Sequence, residues 1–277
     1  MFQKTISPEE IEALAQASFP GEIHVISKPG WEFTRALLYL KRQKVLGFDT
    51  ETRPVFSPGQ KNHGVALLQL SGPDKAFLFR IQKLGMRKRL CAILANPEII
   101  KVGAASHDDV RGLQRYQDFK EKGFVDLQQI VWEWGVKEKS VKKMSAIILG
   151  IRISKKEQLS NWEAETLSEG QCRYAATDAW VCREMYLKLQ QCEKHPLTKE
   201  EMMPPEQLEA IRNHEERRKA DMEARERARK RKEENRRKNA EQQALAKARR
   251  EGLAPPRKRH KKKKKKTDDK GISQEGA

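Results

Sequence analysis

A short apolar run that ends in two acids constrains the fold of this 277-residue chain more than any other stretch. The run is Val45 to Thr52, and within it one residue separates Asp49 from Glu51. Because side chains alternate faces along a strand, a strand here points both carboxylates to the same side of a buried sheet. Such a pair repels unless a cation lies between its members, and paired oxygen ligands suit Mg²⁺ or Mn²⁺. By itself, the pair is equally compatible with a strand that runs into a polar turn and leaves both acids solvated.

The chain changes character at Pro204-Pro205. Beyond it, residues 206–277 contain 26 Lys and Arg against 14 Asp and Glu, a net charge of +12 out of the total +18. Nearly all long apolar runs and every aromatic residue lie before residue 206. That part is long enough to bury a sizeable core. We therefore predict a folded region followed by a basic, charged tail.

The tail has two parts. Glu206 to Arg250 has strong helix propensity but few apolar residues, which fits either a solvated helix or partial disorder. Arg257 to Lys266 is a low-complexity basic run that cannot form a core, so we expect disorder there. In a eukaryotic cell, this run would also match a nuclear-localisation signal.

The cysteines and the N-terminus bear on the compartment. The four cysteines, Cys91, Cys172, Cys182 and Cys192, form no C-x-x-C pair and have no histidine at zinc spacing. Neither a structural zinc site nor a disulfide framework is indicated, and a reducing cytoplasm fits best. The first residues lack an apolar signal core, and no apolar run is long enough to span a membrane. We expect a soluble, cytoplasmic protein.

Strand and helix patterns alternate over the first 205 residues. The predicted strands are residues 21–26, 45–52, 64–70, 76–81 and 99–104. The predicted helices are one that opens at Ser7, and residues 31–43, 86–95, 108–119, 127–134, 140–149 and 168–191. Short connections between the second, third and fourth strands predict antiparallel neighbours. We class the fold as α/β, with a ribonuclease-H-like mixed sheet flanked by helices.

Two further acid groups lie downstream. Asp108 and Asp109 open a predicted helix directly after a strand that ends near Gly103, where acids ordinarily act as caps. Tyr174 and Asp178 are four residues apart, so they share one face of a helix. An ordinary surface contact would explain that spacing.

Together, and in this order, the three acid groups resemble the exonuclease motifs of the DEDD superfamily, in its DEDDy branch. The stretches Leu67 to Leu70, Ser160 to Trp162 and Leu167 to Trp180 are similar to the ribonuclease D and Werner-type exonuclease family. The resemblance covers about residues 20–192. It implies a 3′-5′ exonuclease domain over 20–192, preceded by an N-terminal helix in 1–19 and followed by a linker over 193–205 and the tail over 206–277.

The resemblance also implies a site. The metal-binding carboxylates would be Asp49, Glu51, Asp109 and Asp178, which would hold two Mg²⁺ or Mn²⁺ ions, and Tyr174 would orient the attacking water.

Asp109 is preferred to Asp108 in the second motif. The family's acid follows the motif glycine by six residues and precedes the helical leucine by four, as Asp109 does with Gly103 and Leu113. Asp108 stays open as the alternative.

Three more residues are candidates for substrate contacts. Thr50 and Thr52 flank the acids, at positions that lie beside the terminal nucleotide in this family, although Thr is also a good strand residue. Lys155 lies seven residues before Trp162, where relatives often have a lysine near the phosphates; a solvated lysine is the alternative.

The implied activity is metal-dependent hydrolysis of RNA or DNA from single-stranded 3′ ends, releasing nucleoside 5′-monophosphates. A catalytically silent nucleic-acid-binding module is the main alternative, but such a module would be expected to have lost one of the acids. An endonuclease of the same broad fold would cut circular substrates. The tail would add salt-dependent affinity for nucleic acid, unless it is only a solubilising end.

Overall fold

The computed structural model of the protein describes residues 1–55, 63–253 and 255. The chain groups into two compact units, Met1–Met203 and a second unit that begins at Pro204. The basic run from Arg257 to Lys266 lies outside the described residues. Among the described helices, none combines the length and the apolar content needed to cross a lipid bilayer.

The described residues of the first unit form one mixed sheet. Its strands are β1 (Glu22–Ile26), β2 (Val45–Thr52), β3 (Val65–Ser71), β4 (Lys75–Arg80), β5 (Ile100–Gly103) and β6 (Phe124–Asp126), in the order β1-β4-β3-β2-β5-β6. The pairs β2–β3 and β3–β4 are antiparallel, as predicted, and the other neighbours are parallel. Strand β6 was not predicted. It has only three residues, too few for an alternating pattern, and it forms by pairing with β5.

Ten α-helices lie in the described residues. They are α1 (Pro8–Glu12), α2 (Trp31–Leu40), α3 (Ile81–Leu84), α4 (Lys88–Leu94), α5 (Ser106–Gln114), α6 (Leu127–Ile130), α7 (Val141–Leu149), α8 (Glu169–Gln190), α9 (Lys199–Met202) and α10 (Pro205–Arg250). Several helices differ from the prediction: the one predicted over 31–43 ends at Leu40, the one over 86–95 is shorter at both ends, and α3 and α9 were not predicted. The one predicted over 108–119 begins at Ser106 and ends at Gln114, and the one over 127–134 is α6 followed by a 3₁₀ turn, Val131–Trp134.

Helices cover both faces of the sheet. On one face, α2, α4 and α5 pack against Phe48, Leu68, Leu70 and Phe79, which are fully buried. On the other face lies α8, with α7 packed against it. Each fully buried Leu or Phe contributes about 1.5–3 kcal/mol relative to an exposed one, so this two-sided core holds the strands rigidly.

The segments before and after the sheet also pack against the helices of the first unit. The N–H of Phe19 donates to Thr177 Oγ1 at 2.9 Å, and Ile11 packs against Ala146. At the other end, the N–H of Leu197 donates to the carbonyl oxygen of Trp132 at 2.9 Å. Residues from both predicted flanks, 1–19 and 193–205, therefore contact the first unit, while 20–192 as the limits of an exonuclease domain stay a prediction.

The second unit contains α10. This helix begins at Pro205 and ends at Arg250, and its side chains are almost all exposed. Of the two alternatives for this region, solvated helix or partial disorder, the structure has the solvated helix.

Candidate active site

Three carboxylates meet where β2 ends. Asp49 and Glu51 lie on the same side of β2 and are half-buried, as strand alternation predicts. Asp178 comes to them from α8. Carboxylate oxygens of all three residues lie within 4.8 Å of one another. Such a group of hard oxygen donors matches what a divalent cation binds.

Helix α8 is held in place at its start. Ser168 forms a capping box with Gln171: the N–H of Gln171 donates to Ser168 Oγ at 3.1 Å, and the N–H of Ser168 donates to Gln171 Oε1 at 2.9 Å. Tyr174 and Asp178 follow one turn apart on the face that meets β2.

A glycine allows α8 to approach β2 closely. A Cβ added at Gly47 would lie 1.8 Å from the carbonyl oxygen of Ala179, closer than any real contact. Buried Ala175, Ala176 and Ala179 keep the helix side of the contact small. Only a strand residue without a side chain permits this packing, and the packing brings Asp178 next to Asp49.

The fourth acid reaches the site from α5. Thr50 Oγ1 donates to Asp109 Oδ1 at 2.5 Å. Asp109 is half-buried, whereas Asp108 is exposed. Residue Ala105, before α5, has a left-handed backbone with φ of 56°, and its N–H donates to Asp126 Oδ1 at 3.1 Å. The structure thus brings Asp109, and not Asp108, to the other three acids.

The pKa values show how strongly these acids repel. Burial, and then the charges of Asp178 and Asp109, raise the pKa of Asp49 well above its ordinary value. Burial and the same neighbours, together with Asp49, raise the pKa of Glu51 to about 10. Burial raises the pKa of Asp109 to about 6. Without a cation, this cluster binds protons that ordinary acids have lost at neutral pH.

Two neighbours of Asp178 oppose the effect of burial on its pKa. Burial raises its pKa to about 6, while a hydrogen bond from Tyr174 and the charge of Lys155 lower it. Lys155 is exposed, so the structure places an exposed positive charge within reach of the acids.

Tyr174 remains protonated. Burial, followed by the charges of Asp178 and Glu51, raises its pKa far above the ordinary value of 10.0. Its ring lies 5.9 Å from that of fully buried Trp162, at an angle of 36°. The hydroxyl is therefore a fixed donor beside the carboxylates.

The last predicted contact residue, Thr52, ends β2. It is half-buried and pairs with Val65 after an irregularity between Glu51 and Thr52. Its predicted role beside a nucleotide stays a prediction.

Sequence reasoning missed two residues at the site. Gly47 was treated only as part of a strand, although a glycine inside a strand can signal close backbone approach. Gln69 lies opposite Asp49 in the β2–β3 ladder, is fully buried, and its amide has no hydrogen-bond partner among the described residues. A lone polar residue within the apolar run Val65 to Leu70 was the available signal.

Comparison with known proteins decides the family. A family model described as 3′-5′ exonuclease matches residues 26–192. The chain belongs to this family. Its motifs place this exonuclease in the DEDDy superfamily, and the resemblance that the sequence suggested is confirmed.

Among curated relatives, the chain is 33% identical over 156 residues to the bifunctional 3′-5′ exonuclease/ATP-dependent helicase WRN of Mus musculus, covering 52% of this chain and 11% of the relative. It is 25% identical over 176 residues to ribonuclease D of Gluconacetobacter diazotrophicus, covering 62% of this chain and 43% of the relative. The chain thus spans less than half the length of either relative.

Solved structures share the fold. Escherichia coli RNase D superposes with a TM-score of 0.55 at 22% identity, covering 61% of this chain and 44% of that one. The Aedes aegypti Nibbler EXO domain gives 0.53 at 22% identity, covering 63% and 91%. The predicted ribonuclease-H-like α/β class is confirmed.

Proposed function

We propose that this exonuclease hydrolyses phosphodiester bonds one at a time from the single-stranded 3′ end of RNA or DNA, with two Mg²⁺ or Mn²⁺ ions, and releases nucleoside 5′-monophosphates. The observation that carries the proposal is the cluster of Asp49, Glu51 and Asp178, with Asp109 held toward it by Thr50. Its location in the cytoplasm, or in a eukaryotic nucleus, stays a prediction.

The donor set fits divalent cations. Asp49, Glu51 and Asp178 would share one ion, and Asp109 would complete the ligands of a second. Bound there, the ions would neutralise the acids, lower the pKa of a water and stabilise the departing 3′ oxygen. The raised pKa values of the four acids support this assignment, because protonated carboxylic acids give up their protons when a cation replaces them.

The protein's own groups complete the chemistry. The Tyr174 hydroxyl is buried, protonated and next to Asp178 and Glu51, so it is suited to donate a hydrogen bond that orients the attacking water. Lys155 offers a positive charge to the phosphate, and Thr50 and Thr52 lie beside the terminal nucleotide. Water attack at the phosphorus then leaves the terminal residue as a 5′-monophosphate and the shortened strand with a 3′ hydroxyl.

The test is a substrate panel. Purified protein with Mg²⁺ is incubated with 5′-labelled single-stranded RNA and DNA, a recessed duplex and circular DNA. We expect a ladder that shortens from the 3′ end, with nucleoside 5′-monophosphates detected by chromatography. Cleaved circular DNA would indicate an endonuclease, and intact strands that are nonetheless bound would indicate the silent binding module.

Variants assign the site. Asp49→Ala and Asp178→Asn should each lower the rate by about a thousandfold or more, because either change removes a ligand that acts only with the others. The matched control is Asp108→Asn, which removes an exposed acid one residue from Asp109 and should keep most of the activity. Full activity in either site variant would refute the assignment.

A further inference from the structure

Helix α10 has its ion pairs on one side. Glu223 pairs with Arg227 at 3.1 Å, Glu226 with Lys230 at 2.8 Å, and Glu234 with Lys238 at 2.5 Å. Along a helix, steps of seven or eleven residues return to nearly the same side. The acids at such steps are Glu209, Glu216, Glu223, Glu234 and Glu241. They define the paired side of α10.

The opposite side carries a row of positions without an acid. Steps of three and four residues from Arg218 to Arg250 trace this row, and Glu215, Asp221 and Glu233 flank it. The positions along it are Arg218, Met222, Arg225, Arg229, Lys232, Arg236, Ala240, Gln243, Lys247 and Arg250. We call its arginines and lysines the basic stripe. They are exposed, and none appears in the ion pairs between described residues.

The row of basic residues does not itself stabilise the helix. Like charges four residues apart, such as Arg225 and Arg229 or Lys232 and Arg236, repel and weaken a helix. A helix needed only as a soluble spacer would be more stable with acids along this row as well. Its few apolar residues also form no stripe that a folded partner could bury. A polyanion bound along the stripe would offset the repulsion.

We propose that the basic stripe of α10 binds the phosphate backbone of a single-stranded nucleic acid, in addition to the catalytic site. The proposal rests on the proposed function for the class of partner. The stripe spans roughly 48 Å at 1.5 Å per residue, so several phosphates can follow it. Arginine matches phosphate with paired hydrogen bonds. Because no Phe, Tyr or Trp lies beyond residue 205 and no ring lies on the stripe, binding there should depend on phosphates rather than on base identity.

Two variants with the same change in charge test the face. The stripe variant is Arg218→Gln, Arg225→Gln, Lys232→Gln and Arg236→Gln in the full chain. The control variant is Arg212→Gln, Arg227→Gln, Lys230→Gln and Arg237→Gln, which removes three arginines and one lysine from the paired side of the same helix. Glutamine has a helix propensity close to that of Arg and Lys, and circular dichroism checks the helix content.

Binding is measured without hydrolysis. Fluorescence anisotropy of labelled oligouridylate and oligodeoxythymidylate is followed in EDTA over a salt series. We expect the stripe variant to bind at least about tenfold more weakly than the control variant, and to lower the slope of log K against log salt by about 3, as four lost phosphate contacts require. A stripe variant with Arg218→Lys, Arg225→Lys and Arg236→Lys should keep the slope, since it keeps the charge.

Several outcomes would overturn the proposal. Equal loss in the stripe and control variants would mean that the tail acts only as diffuse charge. Displacement by polyglutamate as effective as by oligonucleotide would point to an acidic protein as partner. Because the wild-type nuclease assay with Mg²⁺ is separate, a failure of the catalytic proposal and a failure of the stripe give different results.

Discussion

The first unit and α10 both bring like charges together, but they tolerate the repulsion in different ways. In the first unit, four acids converge at a partly buried site, and a two-sided apolar core holds them there against their repulsion. In α10, the basic stripe is exposed, and the ion pairs between described residues of the helix lie on the opposite side. Water and salt weaken the second repulsion, whereas only protons or metal ions relieve the first. The two regions should therefore respond to different perturbations.

The largest expected effect comes from the packing that forces the acids together. Gly47→Val places a side chain where the carbonyl oxygen of Ala179 lies, so α8 must move away from β2. We expect a loss of about 3 kcal/mol or more of folding free energy and of nearly all activity, although no carboxylate is changed. Chemical denaturation and the 3′ shortening assay measure the two effects.

Gly170→Ala is the matched control on α8. Its new Cβ would lie 3.3 Å from the flexible end of the Glu157 side chain and in ordinary van der Waals contact with Ser168 Oγ at 3.7 Å. Alanine in the first turn of a helix should be neutral or stabilising by about 0.5–1 kcal/mol. Equal damage from both substitutions would show that the close approach at Gly47 has no special importance.

Deleting the basic tail tests whether its charge contributes to the binding of nucleic acid. Deleting residues 206–277 removes +12 of the net charge. We expect weaker binding of single strands, by about a hundredfold at low salt, and a flatter salt dependence. The melting temperature of the first unit should change little, because that unit has its own core. Unchanged binding at low salt would refute a role of the tail in affinity.

Protons and metal ions should both stabilise the folded state of the first unit. The pKa of Asp178 is raised from 3.8 to about 6, and that of Glu51 from 4.5 to about 10. Between these values, the folded metal-free protein binds more protons than the unfolded chain, so its stability falls as pH rises from about 4 to about 10. Mn²⁺ should reverse this loss most strongly at alkaline pH.

Thermal unfolding in EDTA, with and without added Mn²⁺, checks both effects. Asp178→Asn should raise the stability of the metal-free protein by about 2 kcal/mol at about pH 8, while it abolishes activity. Asp108→Asn, outside the cluster, should not. If the stability of the metal-free wild-type protein instead rose from acid to alkaline pH, the clustered carboxylates would not repel one another as proposed.

The smallest expected effect concerns the exposed charge beside the acids. Lys155 lowers the pKa of Asp178, so Lys155→Gln should shift the acid limb of the pH–rate profile to higher pH. It should also weaken substrate binding by roughly threefold to tenfold, because an exposed charge is screened by water and salt. Lys156→Gln changes the neighbouring exposed lysine and serves as the control. Identical pH–rate profiles for both variants would show that Lys155 has no role at the site.

The parts of the site that follow local rules were predictable from sequence. Period-two alternation predicts that Asp49 and Glu51 share a face, and helical spacing predicts the same for Tyr174 and Asp178. In the structure, each pair shares a face as predicted. The fold class was predictable for the same reason, because strand and helix patterns are local.

The parts that depend on distant packing were not predictable. The closeness of α8 to β2 is a property of two elements, so the need for Gly47 is invisible in either one alone. The unpaired amide of Gln69 likewise depends on what surrounds it. The turn before α5 has alanine in a left-handed conformation that usually favours glycine, so the sequence contained no signal for it. Family spacing, rather than local pattern, favoured Asp109 over Asp108.

The hydrogen bond from Thr50 to Asp109 has a consequence for when the proposed activity could begin. Thr50 lies between Asp49 and Glu51, so its side chain leaves β2 on the opposite face, the one that α5 covers. Two acids therefore come from β2, and the two helix layers add one each, Asp178 from α8 and Asp109 from α5. A chain in which only one layer has docked on the sheet has at most three of its four carboxylates in place. Hydrolysis would thus begin only when both layers are assembled, so a partly folded chain would leave nucleic acid intact.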